Sequence, residues 1–260
     1  MNVSIVLPCY NASYTIVETL DSINNQTLEQ FECVIINDGS SDNTLNLIES
    51  YKFREGISVI LISRINKGFL YSLHEGIEKS SHELIARIDA DDIWEPNHLE
   101  LLSSVLKNEN LVFVGSNATL IDINGMKIGL YNVPTTNEMF LKKMLNDNQI
   151  IHSSVVFRKD IYYKTSGYMC GEGEFYKHIA DYNLWAEMSF LGNCRNVPNR
   201  TVRYRYLDNS MSRNINKLTN YRARKYVILK MYKYHHKHLL YFIKSLIKVE
   251  LRIIQNLLCR

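Results

Sequence analysis

The sequence predicts an α/β protein: a mostly parallel sheet with helices on both faces, ending in a basic amphipathic helical extension. Three observations carry this. Short apolar runs alternate with stretches of helical spacing through the N-terminal part of the chain. The apolar runs are continuous rather than alternating, as strands covered on both faces of a parallel sheet are. The stretch from Lys217 to the end keeps helical spacing and holds no glycine or proline.

The elements follow in order. "VSIVLP" (Val3–Pro8) reads as a buried strand, and Ile16, Leu20 and Ile23 then recur at helical spacing. "FECVIIN" (Phe31–Asn37) is a second strand that ends at the turn "NDGSSDN". Ser41 or Asp42 can cap the next helix, which turns Leu45 and Ile48 inward. "ISVILIS" (Ile57–Ser63) is a third strand, a helix spans about 70–79, and "ELIARI" (Glu83–Ile88) is a fourth strand. A helix over His98–Asn108 leads to a strand over Asn110–Ser116. "ATLIDINGMKIGLY" then reads as a hairpin with Asn124–Gly125 at its turn. "IIHSSVVFRKD" (Ile150–Asp160) reads as a strand, and "IADYNLWAEMSFLG" as a helix with Gly192 near its end. Ligands of such sheets bind beyond the carboxyl ends of the strands. The polar turns "PCYN", "NDGSSDN" and "DADD" lie there, so one crevice can gather all three.

The chain of 260 residues suits one large α/β domain or two closely packed halves. Its net charge of +3 hides an asymmetry. From Lys217 onward there are 11 Lys/Arg and one acid, Glu250, a net of +10, which leaves −7 on the rest. Such a tail suggests an anionic partner. The five cysteines are scattered, odd in number and without a CxxC pair, against a disulfide framework or a zinc site. The N-terminus lacks the pattern of a secretion signal, and no apolar run of about 18 residues reads as a spanning helix. A reducing, cytoplasmic setting is the expectation.

"IARIDADDIWEP" (Ile85–Pro96) crowds Asp89, Asp91 and Asp92 onto one turn. Carboxylates that close push one another toward protonation unless a cation sits among them. A solvated acidic turn or a helix cap is one reading. A calcium loop fails, because Trp94 stands where the loop needs glycine and Ile93 replaces an oxygen ligand. A phosphatase-type Asp-x-Asp pair belongs on a first strand, and this one follows the fourth. The remaining reading is a divalent cation bridging carboxylates to a diphosphate.

Four stretches, in order and at fitting spacing, resemble glycosyltransferase family 2: "SIVLPCYNASYTIVETLDSINNQT", "VIINDGSSDNT", "NKGFLYSLHEGI" and "ELIARIDADDIWEP". The resemblance is strong from about Val3 to Leu101. It continues more loosely through "IIHSSVVFRK", "GYM", "ADYNLW" and "YRYLDNSMS" to about Ser212. It implies a GT-A fold, which is Rossmann-like, and a nucleotide-sugar donor. It also implies a donor-binding half over residues 1–115, an acceptor-binding half of the same domain over 116–215, and the basic tail over 216–260.

The resemblance assigns roles residue by residue. Pro8, Tyr10, Asn11, Asp38, Arg87, Asp89 and Asp91 fall at donor-binding positions. Tyr10 offers an aromatic face to a flat base, or packs under the crevice. Asp38 can accept the uracil N3–H, or cap a helix. Asp91 and Asp92 are the metal candidates, for Mn²⁺ or Mg²⁺, with Asp89 on ribose or metal. Arg87 reaches a phosphate or points outward from its strand. Asp181 in "IADYNLW" stands where the family carries its base, with Ala180 in place of the usual glutamate. The bland reading of Asp181 is an N-cap for the helix carrying Leu184 and Trp185. His152 and Trp185 fall on the acceptor side, or His152 is a structural histidine.

Three positions depart from the family pattern. Asn37 replaces the first acid of Asp-Asp-Gly-Ser. Leu73 stands about where an arginine is common. "YRYL" (Tyr204–Leu207) lacks the late histidine.

The tail places Leu240, Ile243, Ile247, Leu251, Ile254 and Leu258 on one helical arc, with Lys237, Lys244, Lys248 and Arg252 beside it. It either docks on an anionic membrane surface or packs on the body; no nucleic-acid motif is present. The resulting expectation is an inverting glycosyltransferase, peripheral at the inner face of a bacterial membrane. It would move a hexose or N-acetylhexosamine from a nucleotide sugar to a glycan or polyprenyl-diphosphate-linked acceptor in surface polysaccharide synthesis. Two alternatives stay open: a sugar nucleotidyltransferase, whose usual glycine-rich basic loop is missing from "PCYNASYT", and a non-catalytic nucleotide- or glycan-binding relative.

Overall fold

The computed structural model describes residues 2–171, 173–206, 217–234 and 239–258. Its N-terminal part runs β1 (Val3–Cys9), α1 (Ile16–Asn24), β2 (Phe31–Asn37), α2 (Thr44–Ser50), β3 (Ile57–Ser63), α3 (Phe69–Lys79) and β4 (Leu84–Arg87). Next come β5 (Ile93–Trp94), α4 (His98–Asn108), β6 (Phe113–Ile121), β7 (Lys127–Tyr131) and α5 (Asn137–Met144). The rest is β8 (Val156–Arg158), α6 (Lys159–Tyr162), α7 (Glu174–Leu191), β9 (Cys194–Arg205), α8 (Lys217–Tyr234) and α9 (Leu239–Leu258).

The strands form one sheet in the order β3-β2-β1-β4-β8-β6-β9-β5, with β7 paired to β6. β3, β2, β1 and β4 are parallel. β8 then runs antiparallel to both β4 and β6, and β6 pairs parallel with β9. The sheet does not break at residue 115, because β6 crosses that point.

Side chains alternate across the sheet and build a core on each face. Val6, Val34 and Ile36 meet Leu73 and Ile77 of α3 on one face. Ile5, Leu7, Cys33 and Ile35 meet Ile16, Leu20 and Ile23 of α1, and Leu99, Leu102 and Leu106 of α4, on the other. β1 and β2 are buried throughout, which explains their continuous apolar runs. β3 is as apolar, yet it lies at the sheet edge and is only partly covered. α3 sits close enough to β1 that a Cβ on Gly76 would lie 2.5 Å from Val6 Cγ1.

The hairpin forms with Gly125 at φ +79°, in the left-handed region that glycine enters freely. Three expectations are corrected. Ile150–Asp160 is not one strand: His152–Ser154 forms a 3-10 turn before β8, and α6 begins at Lys159. The Ser154 N–H and hydroxyl both donate to the Ile151 carbonyl and close that turn. Asp181 is no N-cap, since α7 begins seven residues earlier at Glu174. β9 has no counterpart in the sequence reading, because its polar and charged residues mask any strand period.

α8 packs on the body. Its Val227, Ile228 and Met231 are buried in the same core as Trp185. Arg224 pairs with Asp147 at 2.6 Å, and Lys230 pairs with Glu187 of α7. α9 folds back on α8, burying Ser245 and Val249 and pairing Glu250 with Lys225. Ile243, Ile247, Leu251 and Ile254 of α9 remain 45–55% exposed, beside the exposed Lys244 and Lys248. Leu207 and Lys237 lie outside the described residues.

Candidate active site

The carboxyl ends of β1, β2 and β4 open onto a crevice of about 630 Å³. It gathers the three polar turns: Pro8, Tyr10 and Asn11 from the first, Asp38 from the second, and Asp89, Ala90 and Asp91 from the third. Asn66, Gly68 and Phe69 from the β3–α3 turn and Ile123 from the hairpin complete the lining. Asn66, Gly68 and Phe69 open the stretch "NKGFLYSLHEGI", whereas Ile123 carries no sequence signal and reaches the crevice through chain topology alone.

The first two turns brace each other. Asn11, at φ +48°, accepts from the Ser41 N–H through its Oδ1 at 2.8 Å. Tyr10 stays more than half exposed at the rim. Neither Ser41 nor Asp42 is the N-cap of α2, which is Asn43, but Asp42 accepts from the Thr44 N–H at 3.0 Å at the entry to that helix. That leaves Asp38 to the crevice. Its buried carboxylate accepts the Lys67 N–H at 2.8 Å and the Gly68 N–H at 2.9 Å, and forms an ion pair with Arg64. Arg64 is held in turn by Glu75 and Ser72. Leu73 is wholly buried, so no arginine-like contact comes from its position. Arg64 is the cation of this corner, and it binds protein carboxylates.

The third turn is the most charged. Arg87 is buried rather than outward-facing, and its guanidinium grips both oxygens of Asp89. Phe69 lies under the same guanidinium, at 5.3 Å. Asp89 is thereby largely neutralised by protein. Asp91 and Asp92 are not. Burial first, then the Asp89 charge, raises the Asp91 carboxyl to about 6. Burial and both neighbouring aspartates push Asp92 well above the ordinary carboxylate range. Asp92 Oδ1 accepts the Arg205 N–H at 2.7 Å, while its buried Oδ2 has no hydrogen-bond partner.

One carboxylate oxygen from each of Asp89, Asp91 and Asp92 lies within 4.8 Å of the others. An all-oxygen donor set with an orphaned buried oxygen fits a hard divalent cation. Such an ion would lower both raised carboxyls by supplying the missing positive charge.

Arg205 backs this turn and was not a sequence candidate. Its Nε donates to the Asp91 carbonyl at 2.8 Å, and its Nη1 to the Asp122 carbonyl at 3.0 Å. Its Nη2 pairs with Glu18. It ties the end of β9 to the triplet, the hairpin and α1 at once. The "YR" of "YRYL" is the only hint, and it points to a missing histidine rather than to this arginine.

Asp181 is inside α7 and does not line the crevice. It lies close enough to Arg87 and Asp89 to feel both charges. Burial raises its carboxyl, against the lowering effect of the Tyr182 N–H and Arg87. Its Oδ2 accepts from Asn148 Nδ2 at 2.8 Å, and its Oδ1 from the Tyr182 N–H at 2.7 Å. His152 hydrogen-bonds Tyr168 through Nε2 at 2.7 Å and packs against Phe69 and Trp185. Burial, then Arg87, pushes it well below the ordinary histidine range, so it is neutral. Trp185 is fully buried among Phe113, Phe157 and His152, and offers no surface to an acceptor.

Comparison with known proteins bears on the family and the fold. The family model for glycosyl transferase family 2 matches residues 4–165. An uncharacterized glycosyltransferase of Haemophilus influenzae is 33% identical over 232 residues, covering 86% of this chain and 71% of that protein. A UDP-Glc:alpha-D-GlcNAc-diphosphoundecaprenol beta-1,3-glucosyltransferase of Escherichia coli is 32% identical over 132 residues, 51% of each chain. The chain spans only about a fifth of some longer relatives. Among solved structures, S. aureus TarS 1-349 in complex with UDP-GlcNAc superimposes with a TM-score of 0.72 at 14% identity. That match covers 97% of this chain and 72% of TarS 1-349, and establishes the shared GT-A fold.

Proposed function

This chain belongs to glycosyl transferase family 2, and from that premise we propose which transfer it performs. It moves a hexose or N-acetylhexosamine from a UDP-sugar to a glycan carried on a polyprenyl diphosphate, with inversion at the anomeric carbon. The observation that carries this reading is the convergence of Tyr10, Asp38, Asp89 and Asp91 on one crevice, with Asp92 directly behind them. A relative whose name specifies a UDP-sugar donor and a diphosphoundecaprenol acceptor supports the choice of both.

The geometry supports the following roles. Tyr10 presents a ring to the base. Asp38, pinned on both oxygens by Arg64 and two backbone N–H groups, keeps one lone pair for an imide N–H. A base without that donor forfeits a hydrogen bond to a charged acceptor, worth roughly 1.5–3 kcal/mol. Asp91 and Asp92 would hold Mn²⁺ or Mg²⁺, which would supply positive charge against the diphosphate leaving group. Arg87 keeps Asp89 aligned beside them. Asp181 accepts the proton of the acceptor hydroxyl as its oxygen attacks opposite the diphosphate. A half-buried, raised carboxyl suits that task better than an exposed one. A single displacement from that side inverts configuration.

The exposed apolar stripe and lysines of α9 supply the site of attachment to the anionic surface where a lipid-linked acceptor resides. Among the described residues no helix is long and apolar enough to cross a membrane. Ile247→Asp with Leu251→Asp should abolish partition to vesicles containing anionic lipid and leave the melting temperature unchanged. Partition equal to wild type would remove α9 as the docking face.

The deciding experiment is a panel of nucleotide sugars offered with Mn²⁺ to the wild type and to Asp181→Asn. Wild type should hydrolyse or transfer from UDP-sugars only. Asp181→Asn should bind the same donor with unchanged affinity and lose transfer by about 10²–10⁴-fold. Full transfer by Asp181→Asn would exclude it as the base.

A further inference from the structure

Asp181 sits inside a long helix, where a side chain has room to swing, yet both of its oxygens are tied. The Tyr182 N–H holds Oδ1 from within α7. The second tie comes from outside: Asn148 Nδ2 donates to Oδ2 at 2.8 Å. Asn148 cannot flip its amide, because its Oδ1 already accepts the Ile150 N–H at 3.0 Å. The nitrogen is therefore the atom that faces the carboxylate.

The loop carrying Asn148 is itself anchored. Asp147, the preceding residue, pairs with Arg224 of α8 at 2.6 Å. Tyr182, the residue after Asp181, donates its hydroxyl to the Met144 carbonyl at the start of that loop. Loop, α7 and α8 thus close a ring around the carboxylate.

We propose that Asn148 is a positioning residue for Asp181, and that α8 holds it in place through the Arg224–Asp147 pair. This rests on Asp181 being the base. The amide aims the free lone pairs of the carboxylate and, by donating to its charged form, opposes the effect of burial. The tail is then part of the catalytic apparatus as well as an anchor.

The charged and titratable groups acting on Asp181 include Arg87 and Asp89 from the β4 end, with Tyr168 and Cys170 of the segment before α7 close enough to sense its charge. Of these only Arg87 favours the ionised form. Removal of the Asn148 amide therefore moves the Asp181 carboxyl upward, and the acid limb of the pH–rate profile moves with it.

The test is the pH dependence of transfer by the full chain, with donor KM and melting temperature measured alongside. Asn148→Ala should shift the acid limb upward by about one pH unit, lower kcat and leave donor KM unchanged. Asn148→Asp, of the same shape, should shift it further because it places a like charge against Oδ2. Arg224→Ala should shift it in the same direction by less. The exchange of the pair, Arg224→Asp with Asp147→Arg, should restore it. An acid limb that stays put in Asn148→Ala and Asn148→Asp would overturn the proposal while leaving Asp181 as base. Full transfer by Asp181→Asn would instead sink the base assignment itself. A purely structural role for Asn148 would lower the melting temperature and leave the pH profile in place.

Discussion

Asp91 and Asp92 differ in what they offer a cation. Asp92 has one oxygen committed to the Arg205 N–H and one oxygen without a partner, whereas Asp91 lines the crevice directly. Asp91→Ala should abolish the Mn²⁺ dependence of UDP binding, read by calorimetry, because it removes the crevice-facing ligand. The sign of the pH effect follows from the raised carboxyl. Asp91 keeps its proton up to about 6, and a cation must displace it. Mn²⁺ affinity should therefore rise as pH increases through about 6, with proton release on binding below that point. Calorimetry in two buffers of different ionisation enthalpy measures both. At this scale the acids of the site were legible, since like charge crowded on a short turn after an apolar strand is costly without a partner. Two of the basic residues were not. Arg205 and Arg64 act through tertiary contacts, and a lone arginine in a strand or a turn carries no pattern that distinguishes it from a solvated one.

The elements were legible where a single face is apolar and adjacent in sequence. β2 and β3 match their expected bounds, and α4 spans His98–Asn108 as read. They fail where pairing, not pattern, makes the strand. β9 alternates arginine, asparagine and threonine, and it holds because β6 lies beside it over most of its length. Ser153 and Ser154 turn the chain where an apolar run suggested a strand, since their hydroxyls satisfy backbone and Asp89 instead of a ladder. α3 gives a direct test of element packing. Gly76→Ala adds a methyl that meets Val6 Cγ1 and Ile36 Cδ1. Val6 is β-branched and stiff, so the relief must come from the helix. The variant should lose roughly 1–3 kcal/mol in denaturant unfolding, although alanine is the better helix former.

The whole molecule divides less cleanly than its charge does. The acidic body and basic tail share one core, because Val227, Ile228 and Met231 of α8 pack with Trp185 and Phe113. A chain that stops before α8 should lose several kcal/mol, on the order of 2–5 for each large buried side chain uncovered. A chain that stops after Tyr234 should keep a cooperative transition, since α9 adds few buried residues. Thermal unfolding of the two truncations separates these outcomes. The tail's basic charge was visible in composition, but its division into a packed helix and an outer helix was not, because both carry lysines and apolar residues in similar measure. The Arg205 clasp has a consequence for how the enzyme comes into being. The three turns that line the crevice are all synthesised within the first 92 residues, yet the guanidinium that braces the third of them arrives at position 205. During translation the chain carries these turns for a long interval without the strand that backs the third. A chain interrupted before β9 therefore lacks the contact that fixes the Asp91 turn to the hairpin and to α1.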